Sequence, residues 1–526
     1  MIIMKKTYYI TTPIYYVNDS PHIGHAYTTL SCDVLARFNR LEGNDVFFLT
    51  GTDEHGQKVD KAAKDKGVDP QSFCDEVSLR FRDLAKFMNY SNDDFIRTTE
   101  PRHKKACTEL WKRLEKNGHI YLDKYAGWYS VRDEAFYQES ELVDGKAPTG
   151  APVEWTEEES YFFDLSKWEG KLLEFYDKNP DFIMPESRRN EVISFVKGGL
   201  KDLSVSRTSF KWGIPVPGNE KHVMYVWLDA LTNYLTAAGF PDDMPTFNKR
   251  WPADLHMVGK DILRFHAVYW PAFLMAADLP CPKRVFAHGW WTNEGQKISK
   301  SLGNVIDPIK LVEEFGLDAT RYFLMREVPF GNDGDYSRAR MITVINSELA
   351  NTIGNLAQRT LSMIQKNCEG KVPEVNLDEL MKEPRARVLL DLAQITLDEI
   401  YENGEAVIDS HIKQCRFHKI LEDILQIAVN GNMFIDELAP WTLKKEGNVK
   451  LMNEVLYTLA ETVRCIAIML QPFMPASAAK MLDQLTVPAN ERSFEFLKRK
   501  HALKSGTALP VPHGVFPRFM EGEKKA

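Results

Sequence analysis

Residues 8–50 begin Tyr8-Tyr9-Ile10-Thr11-Thr12-Pro13-Ile14, pass through His22-Ile23-Gly24-His25, and end in Asp45-Val46-Phe47-Phe48-Leu49-Thr50. The first run is aromatic and β-branched, which predicts a buried strand over residues 8–14. Asn18, Asp19 and Ser20 are turn formers; Ser20 suits a helix N-cap and Pro21 the first helical position. Beyond them Ile23, Tyr27, Leu30, Val34, Phe38 and Leu41 recur at helical spacing, and Gly43 is a natural stop. Residues 45–50 read as the next strand. The stretch is therefore a βαβ unit, which predicts a parallel sheet flanked by helices. His22, Gly24 and His25 sit at the strand-to-helix turn, where a helix N-terminus offers unpaired N–H groups and positive potential to phosphates. Gly24 has no Cβ, so a flat ring can approach the backbone there. The plainer reading is a pair of capping histidines on a surface helix.

A second motif bears on that choice. Residues 285–292 predict a strand, Asn293-Glu294-Gly295-Gln296 a turn, and Lys297-Ile298-Ser299-Lys300-Ser301 a loop ended by Gly303-Asn304, with a helix cap at Asp307-Pro308. Lys297 and Lys300 on such a loop can close on a triphosphate and stabilise the pyrophosphate as its charge develops. Ser299 and Ser301 add hydroxyl donors. Two lysines alone usually mark a solvated tip; the upstream histidine motif makes a nucleotide site the better reading.

The bulk numbers fit a soluble multidomain protein. In 526 residues, 44% are apolar and 27% charged, and the net charge is −8. The length allows two to four domains. An acidic balance does not advertise a nucleic-acid binder, so any RNA contact must be local; Lys498-Arg499-Lys500-His501 with Lys504 is one candidate patch or a solvated helix end. Cys32, Cys74, Cys107, Cys281, Cys368, Cys415 and Cys465 are odd in number, widely spaced and free of CxxC pairs. Reduced thiols in a cytoplasmic protein are expected, without a disulfide framework or structural zinc. No apolar run is long enough for a signal peptide or a membrane span.

Residues 1–117 alternate strand and helix patterns, and the alternation resumes with a helix over 225–238, a strand over 254–258 and a helix over 261–277. Together, 1–117 and 225–330 predict a split Rossmann-like catalytic domain. Residues 118–224, rich in Trp, Tyr, Phe, Glu, Gly and Pro, read as a connective insertion. The pattern then becomes long and helical, with a linker at 331–345, an α-helical bundle at 346–490 and a C-terminal tail at 491–526.

The two motifs resemble those of class I aminoacyl-tRNA synthetases, and their surroundings resemble the methionyl-tRNA synthetases over residues 8–445. Thr12-Pro13-Ile14-Tyr15-Tyr16-Val17-Asn18 resembles the family's loop before the histidine motif, which puts Ile14 and Tyr16 on the amino-acid pocket. Thr50-Gly51-Thr52-Asp53-Glu54-His55-Gly56 resembles the strand end whose acid, Asp53, holds the substrate α-ammonium. Tyr225-Val226-Trp227-Leu228-Asp229-Ala230 with Tyr234, and Gly259-Lys260-Asp261-Ile262-Leu263-Arg264-Phe265-His266 with Trp270, supply the remaining pocket positions. Sulfur–aromatic attraction, roughly 0.3–1.5 kcal/mol per contact, suits a cage of Trp227, Tyr234, Phe265 and Trp270 with Ile14 and Ile262 around a thioether. His266 either donates toward the sulfur or holds a neighbouring tyrosine. Gly259 joins His22, Gly24, His25, Lys297, Ser299 and Lys300 as an ATP contact. Residues 350–359 resemble the anticodon-reading helix, with Asn355 and Arg359 on one face, and Ala439-Pro440-Trp441 resembles a second anticodon element whose Trp stacks on an unpaired base.

The resemblance implies a two-step reaction using ATP with Mg²⁺ as substrate complex, L-methionine, and tRNA(Met), the initiator included. Catalysis would be mainly positioning and charge stabilisation, with no protein nucleophile. Many relatives bind zinc through cysteine knuckles in the insertion. This chain has no cysteine between Cys107 and Cys281, and residues 128–134 resemble the zinc-free branch. Packing of Trp128, Tyr129, Phe136, Tyr137, Phe162 and Phe163 is expected instead. Nothing after residue 500 resembles an appended dimerising β-barrel, so a monomer is expected. A cysteinyl enzyme lacks support because its Cys/His cluster is missing. The isoleucyl, leucyl and valyl enzymes need a larger editing insertion. A non-catalytic tRNA-binding paralogue is the alternative that both intact nucleotide motifs argue against, and a small cofactor-making nucleotidyltransferase would not explain the helical bundle.

Overall fold

The computed structural model describes residues 5–17, 20–132, 135–137, 139–298, 303–398 and 407–520. Contacts divide the chain into two compact units, one of Lys6–Cys32 with Val46–His288, the other of Asp33–Asp45 with Gly289–Ala526 among its described residues. The first unit is built on a seven-stranded sheet of β1 (Thr7–Thr11), β2 (Tyr15–Tyr16), β3 (Asp45–Asp53), β4 (Asp94–Arg97), β5 (Ile183–Met184), β6 (Leu255–Gly259) and β7 (Val285–His288). The order is β2-β3-β1-β6-β7-β5, with β4 also on β3. Registers such as Ile10 on Leu255 and Met257 on Phe286 are parallel. Helices α1 (Ile23–Leu41), α2 (Pro101–Lys116) and α3 (Val226–Ala238) follow β1/β2, β4 and the insertion.

The structure is α/β with a helical C-terminal region, as the patterns imply, and several expected boundaries move for physical reasons. The strand expected over residues 8–14 ends at Thr11, just before Pro13, which has no N–H to give a ladder, and a second short strand follows at Tyr15–Tyr16. The strand expected over 45–50 runs on to Asp53. Helix α1 begins at Ile23, so Ser20 and Pro21 are not its cap and first residue. The strand expected over 285–292 is interrupted: β7 stops at His288, and Trp291–Asn293 pairs instead with Gly334–Tyr336. Gly289 permits the departure, since a Cβ there would lie 2.2 Å from the Asn332 carbonyl oxygen. The helix expected over 261–277 is a tight turn at Lys260–Ile262, a wide-turn π segment at Phe265–Tyr269 and an α segment at Trp270–Ala276. Pro271 has no N–H for the Ala267 carbonyl, which the Tyr176 hydroxyl takes at 2.6 Å.

The insertion holds an antiparallel sheet in which Ile120–Ser130 pairs with Glu154–Phe163, flanked by Ala135–Tyr137 and Leu203–Ser204. It is not wholly separate from the parallel sheet, because β5 adds to that sheet beside β7. Phe163 is buried against Trp168 and Phe273, and Trp128 meets Trp155 edge-on across the ladder. The Phe136 side chain lies outside the described residues. Nearly every residue of helix α3 is buried, including a polar stripe of Asp229, Thr232, Asn233 and Thr236 on one face of an otherwise apolar core helix.

In the second unit, Asp307 caps the helix Pro308–Phe315 by accepting from the Ile309 N–H, with Pro308 at the first position. Long helices follow, among them Asn355–Asn367, Pro384–Asp398, Phe417–Leu438 and Val449–Leu470. Gly431 lets the third approach the first closely, since a Cβ there would sit 2.8 Å from a Leu356 methyl. All seven cysteines are free. No helix among the described residues is long and apolar enough to cross a membrane.

Candidate functional site

The start of α1 is closed by its own histidines. The His22 Nδ1 accepts from the Gly24 N–H at 3.1 Å, and the His25 Nδ1 accepts from the His22 N–H at 3.1 Å. This is a capping box made of two imidazoles, with their ring centroids 3.9 Å apart. The histidines do cap, as the plainer reading has it, but α1 is buried along most of its length and is not a surface helix. Nδ1 accepts in both rings, so each neutral ring carries its hydrogen on Nε2, where it remains a donor. Desolvation lowers both pKa values; Asp261 partly opposes this at His22, and the neighbouring His22 adds to it at His25. A Cβ at Gly24 would lie 2.9 Å from the His22 Cε1 and so would push on the capping ring.

Further groups converge beside this cap, at the carboxyl ends of β1, β6 and β7, where open α/β sheets bind ligands. The Thr28 hydroxyl donates to the Gly24 carbonyl at 3.0 Å and so accepts from the His288 Nε2–H at 2.7 Å. A Cβ on Gly259 would lie 2.5 Å from the Asp261 Oδ1 and 4.0 Å from the His288 Cε1. Thr28, Asp261 and His288 were not singled out from the sequence. The available signal was a histidine-glycine pair at the end of an apolar strand, the same grammar as the histidine motif.

An aromatic group lies in the same unit. Asp53, 6% exposed, ends β3 in register with Tyr16, and its carbonyl accepts from the Val17 N–H at 3.2 Å. Trp227 stacks on Phe265 with centroids 3.5 Å apart and planes at 8°. Both are half-buried, whereas Trp270 is wholly buried and backs Tyr234 at 6.1 Å. Ile14, Trp227 and Ile262 pack against the one core that contains Tyr234 and Trp270.

His266 decides between its two sequence readings. Its Nδ1–H donates to the Ile262 carbonyl at 3.0 Å, so its Nε2 is an acceptor and takes the Tyr234 hydroxyl at 2.7 Å. Burial lowers its pKa to about 4. It is neutral at physiological pH and holds the tyrosine. His256 stacks behind the Tyr234 ring at 4.1 Å and bonds to the Thr11 hydroxyl at 2.8 Å; burial, reinforced by His266, keeps it neutral too.

These histidines have a stability consequence. Their folded pKa values lie below the unfolded value near 6.5, so the unfolded chain binds more protons below that value, for His266 down to about 4. Their contribution is complete above pH 6.5 and is lost as pH falls through that window. Scanning calorimetry should show the melting temperature dropping by ~5 °C or more from pH 7 to pH 5. A constant or rising melting temperature over that interval would contradict these neutral assignments.

The structure also gathers His103, Cys107 and Asp229, whose ligand atoms lie within 4.8 Å of one another. No local sequence pattern marks this cluster, because Asp229 is far from His103 and Cys107 in the chain. Each is already engaged: both Asp229 oxygens accept from imidazoles, and His103 is bonded at both nitrogens.

In the second unit, Lys297 lies on a strand, Gln296–Lys297, not on the loop. It forms a hairpin with Trp291–Asn293 through Glu294 (φ 49°) and Gly295 (φ 75°), the double positive φ of a tight hairpin turn. Asn304 is tied to this hairpin, donating to the Lys297 carbonyl at 3.1 Å and accepting from the Asn293 amide at 2.9 Å. Ser299, Lys300 and Ser301 lie outside the described residues.

The helices bring together Asn355, Arg359 and Trp441. Arg359 pairs with Asp436 at 2.6 Å and sits 5.7 Å from the Trp441 ring centroid, with that ring 41% exposed. Asn355 donates to the Asn432 Oδ1 at 3.2 Å. Asn432 and Asp436, one turn apart, thus hold two side chains that the sequence analysis put on one face. Of the basic stretch near the C-terminus, Arg499 is paired with Asp391.

Comparison with known proteins agrees with this geometry. Residues 8–153 and 147–361 match the family model described as tRNA synthetases class I (M), and residues 393–526 match the anticodon binding domain of methionyl tRNA ligase. The methionine–tRNA ligase of Rickettsia felis is 61% identical over 99% of this chain and 100% of its own length. That of Mesorhizobium japonicum is 53% identical over 98% of each. The structure of Mycobacterium tuberculosis methionyl-tRNA synthetase in complex with methionyl-adenylate superimposes with a TM-score of 0.92 at 51% identity, covering 98% of this chain and all of that one. The chain therefore belongs to the methionyl-tRNA synthetase family of class I aminoacyl-tRNA synthetases.

Proposed function

We propose that this enzyme joins L-methionine to tRNA(Met) through methionyl-adenylate. A carboxylate oxygen of methionine attacks the α-phosphorus of ATP, the bond to the β-phosphate bridge breaks, and pyrophosphate leaves. The terminal ribose 2′-hydroxyl of the tRNA then attacks the adenylate carbonyl, and AMP leaves. Mg²⁺ enters with the triphosphate as part of the substrate. The carrying observation is the neutral, buried His266 that fixes Tyr234 within an aromatic group. An uncharged cage suits a thioether, and a charged imidazole there would not.

The roles follow from residue chemistry. His22 and His25 offer Nε2–H donors to phosphate, and Gly24 and Gly259 leave the backbone open to adenosine. Lys297, Ser299 and Lys300 supply charge and hydroxyl donors to the leaving pyrophosphate. Asp53 holds the α-ammonium. Ile14, Tyr16, Trp227, Tyr234, Ile262, Phe265, His266 and Trp270 form or support the side-chain pocket. Asn355, Arg359 and Trp441 read the anticodon. The split catalytic domain (1–117, 225–330), the insertion (118–224), the linker (331–345), the anticodon domain (346–490) and the tail (491–526) describe the working parts. The enzyme acts as a cytoplasmic monomer without structural zinc, on elongator and initiator tRNA(Met) alike.

Amino-acid-dependent ATP–pyrophosphate exchange with all twenty amino acids tests the reading. Methionine should support exchange far above the others. Preference for cysteine or leucine would remove the specificity, and RNA binding without any exchange would favour a non-catalytic paralogue. For the anticodon group, Trp441→Ala should raise the KM for tRNA by roughly 10–100-fold, the effect of losing one base stack, while exchange stays unchanged. An unaltered tRNA KM would remove Trp441 from that role.

A further inference from the structure

The strand end that carries Asp53 and the helix that carries Trp227 are tied together by a buried carboxylate. Asp229 lies two residues past Trp227 in α3 and is fully buried. Its Oδ2 accepts from the His55 Nδ1–H at 2.7 Å, and its Oδ1 accepts from the His103 Nε2–H at 2.7 Å. His55 lies two residues past Asp53, where β3 has ended and no sheet ladder fixes the chain. His103 stands on α2, where the Cys107 thiol, one turn on, is 3.2 Å from its Nε2 and the Thr236 hydroxyl is 3.2 Å from its Nδ1.

Burial alone would raise the Asp229 pKa, but His55 first, and then His103, lower it overall, so the carboxylate is ionised. Its place in the first turn of α3 adds the favourable end of the helix dipole. The intervening Glu54 is also fixed. Its oxygens take the Arg97 guanidinium at 2.6 and 3.0 Å, the Thr99 hydroxyl at 2.5 Å and the Thr52 hydroxyl at 2.8 Å. The Trp212 indole donates to the Glu54 carbonyl at 2.6 Å and meets His55 edge-on. Glu54 and His55 are thus both held from behind, and the tie to Asp229 reaches the Trp227 helix.

We propose that His55 and Asp229 are positioning residues for methionine: their hydrogen bond sets the span between Asp53 and Trp227, and so between the ammonium and side-chain contacts. This rests on the assignment of Asp53 and Trp227 to methionine made above. A displacement near 1 Å at a reacting site costs roughly 100-fold in rate, so a span set by a single short bond is a sensitive one. The nucleotide group around His22, Thr28 and His288 does not use the tie. Its loss should therefore raise the KM for methionine and spare that for ATP.

The test uses the full-length enzyme in pyrophosphate exchange. An Asn side chain carries an N–H close to where the His Nδ1 stands, a Gln side chain carries it one carbon further out, and Leu carries none. His55→Leu should raise the methionine KM by about 10-fold or more, with the ATP KM within about twofold, and His55→Asn should recover most of the loss. Equal KM values in His55→Leu and wild type overturn the proposal, as does an Asn variant as impaired as the Leu variant. If His55→Leu does not fold, Asn against Gln makes the same comparison, with Gln expected to be the impaired one and equality overturning the claim. Asp53→Asn is measured alongside. A raised methionine KM there, with none in His55→Leu, overturns only the positioning role. No effect in Asp53→Asn removes the pocket assignment and this inference with it.

Discussion

Replacing Lys300 by Ala should slow methionyl-adenylate formation by roughly 10²–10³-fold, the usual scale for removing one group aimed at developing charge. Methionine binding should change little. The reasoning is about timing. The triphosphate already carries its charge in the ground state, but the bond to pyrophosphate breaks only in the transition state, and there the extra negative charge needs a cation. Lys300 follows Lys297 by three residues in the sequence, and the Lys297 carbonyl accepts from the Asn304 side-chain amide, while the Asn304 backbone carbonyl accepts from Asn293. Pre-steady-state adenylate formation, with methionine affinity measured separately by equilibrium binding, checks this. An unchanged rate constant would refute the role of the loop, and a large loss of methionine affinity would mean that Lys300 acts on the amino acid instead.

Asp53→Asn should cost about 10²–10³-fold in kcat/KM for methionine, with the ATP KM nearly unchanged. The side chain keeps its size, so packing at the end of β3 should survive. Its charge is what disappears. Asp53 is 6% exposed, and a charge-assisted pair in so shielded a place is worth roughly 2–5 kcal/mol when one partner is removed, in part because the other is left unpaired. An amine-free analogue, the des-amino acid of methionine, should bind wild type and variant alike. If the variant also loses affinity for that analogue, Asp53 shapes the pocket and does not read the ammonium.

The parallel sheet, the cap at Asp307-Pro308 and the switch to long helices were legible in the sequence because each rests on local pattern: strand runs, a Pro after a capping Asp, and the period of apolar residues. The helix start at Ile23 was not, because the usual vocabulary of caps contains Ser, Thr, Asp and Asn. Here two imidazoles with hydrogens on Nε2 do the same work. The break after His288 was hidden because Trp290-Trp291-Thr292 has the composition of a strand; only Gly289 marked where the chain leaves the sheet. The π segment at Phe265–Tyr269 follows from Pro271, but its compensation by the Tyr176 hydroxyl joins residues 91 apart and has no local trace.

The same distinction holds at the site. Asp53, Trp227, Tyr234 and His266 were named from motifs, yet what His266 does depends on a tautomer set by the Ile262 carbonyl, a matter of geometry. Asp229 carried a signal that went unused. An acid flanked by Leu228 and Ala230 in a helix buried at nearly every residue must be matched by partners in the core, and His55 and His103 are those partners.

A crystal structure of this enzyme with methionyl-adenylate bound tests the central claim most directly. The account predicts the α-ammonium within hydrogen-bond distance of the Asp53 carboxylate, the thioether against Trp227 and Tyr234 with His266 still accepting from the Tyr234 hydroxyl, and the phosphate at the His22–His25 cap. An adenylate whose ammonium is held elsewhere, or whose side chain lies outside the Trp227–Tyr234 group, would contradict it.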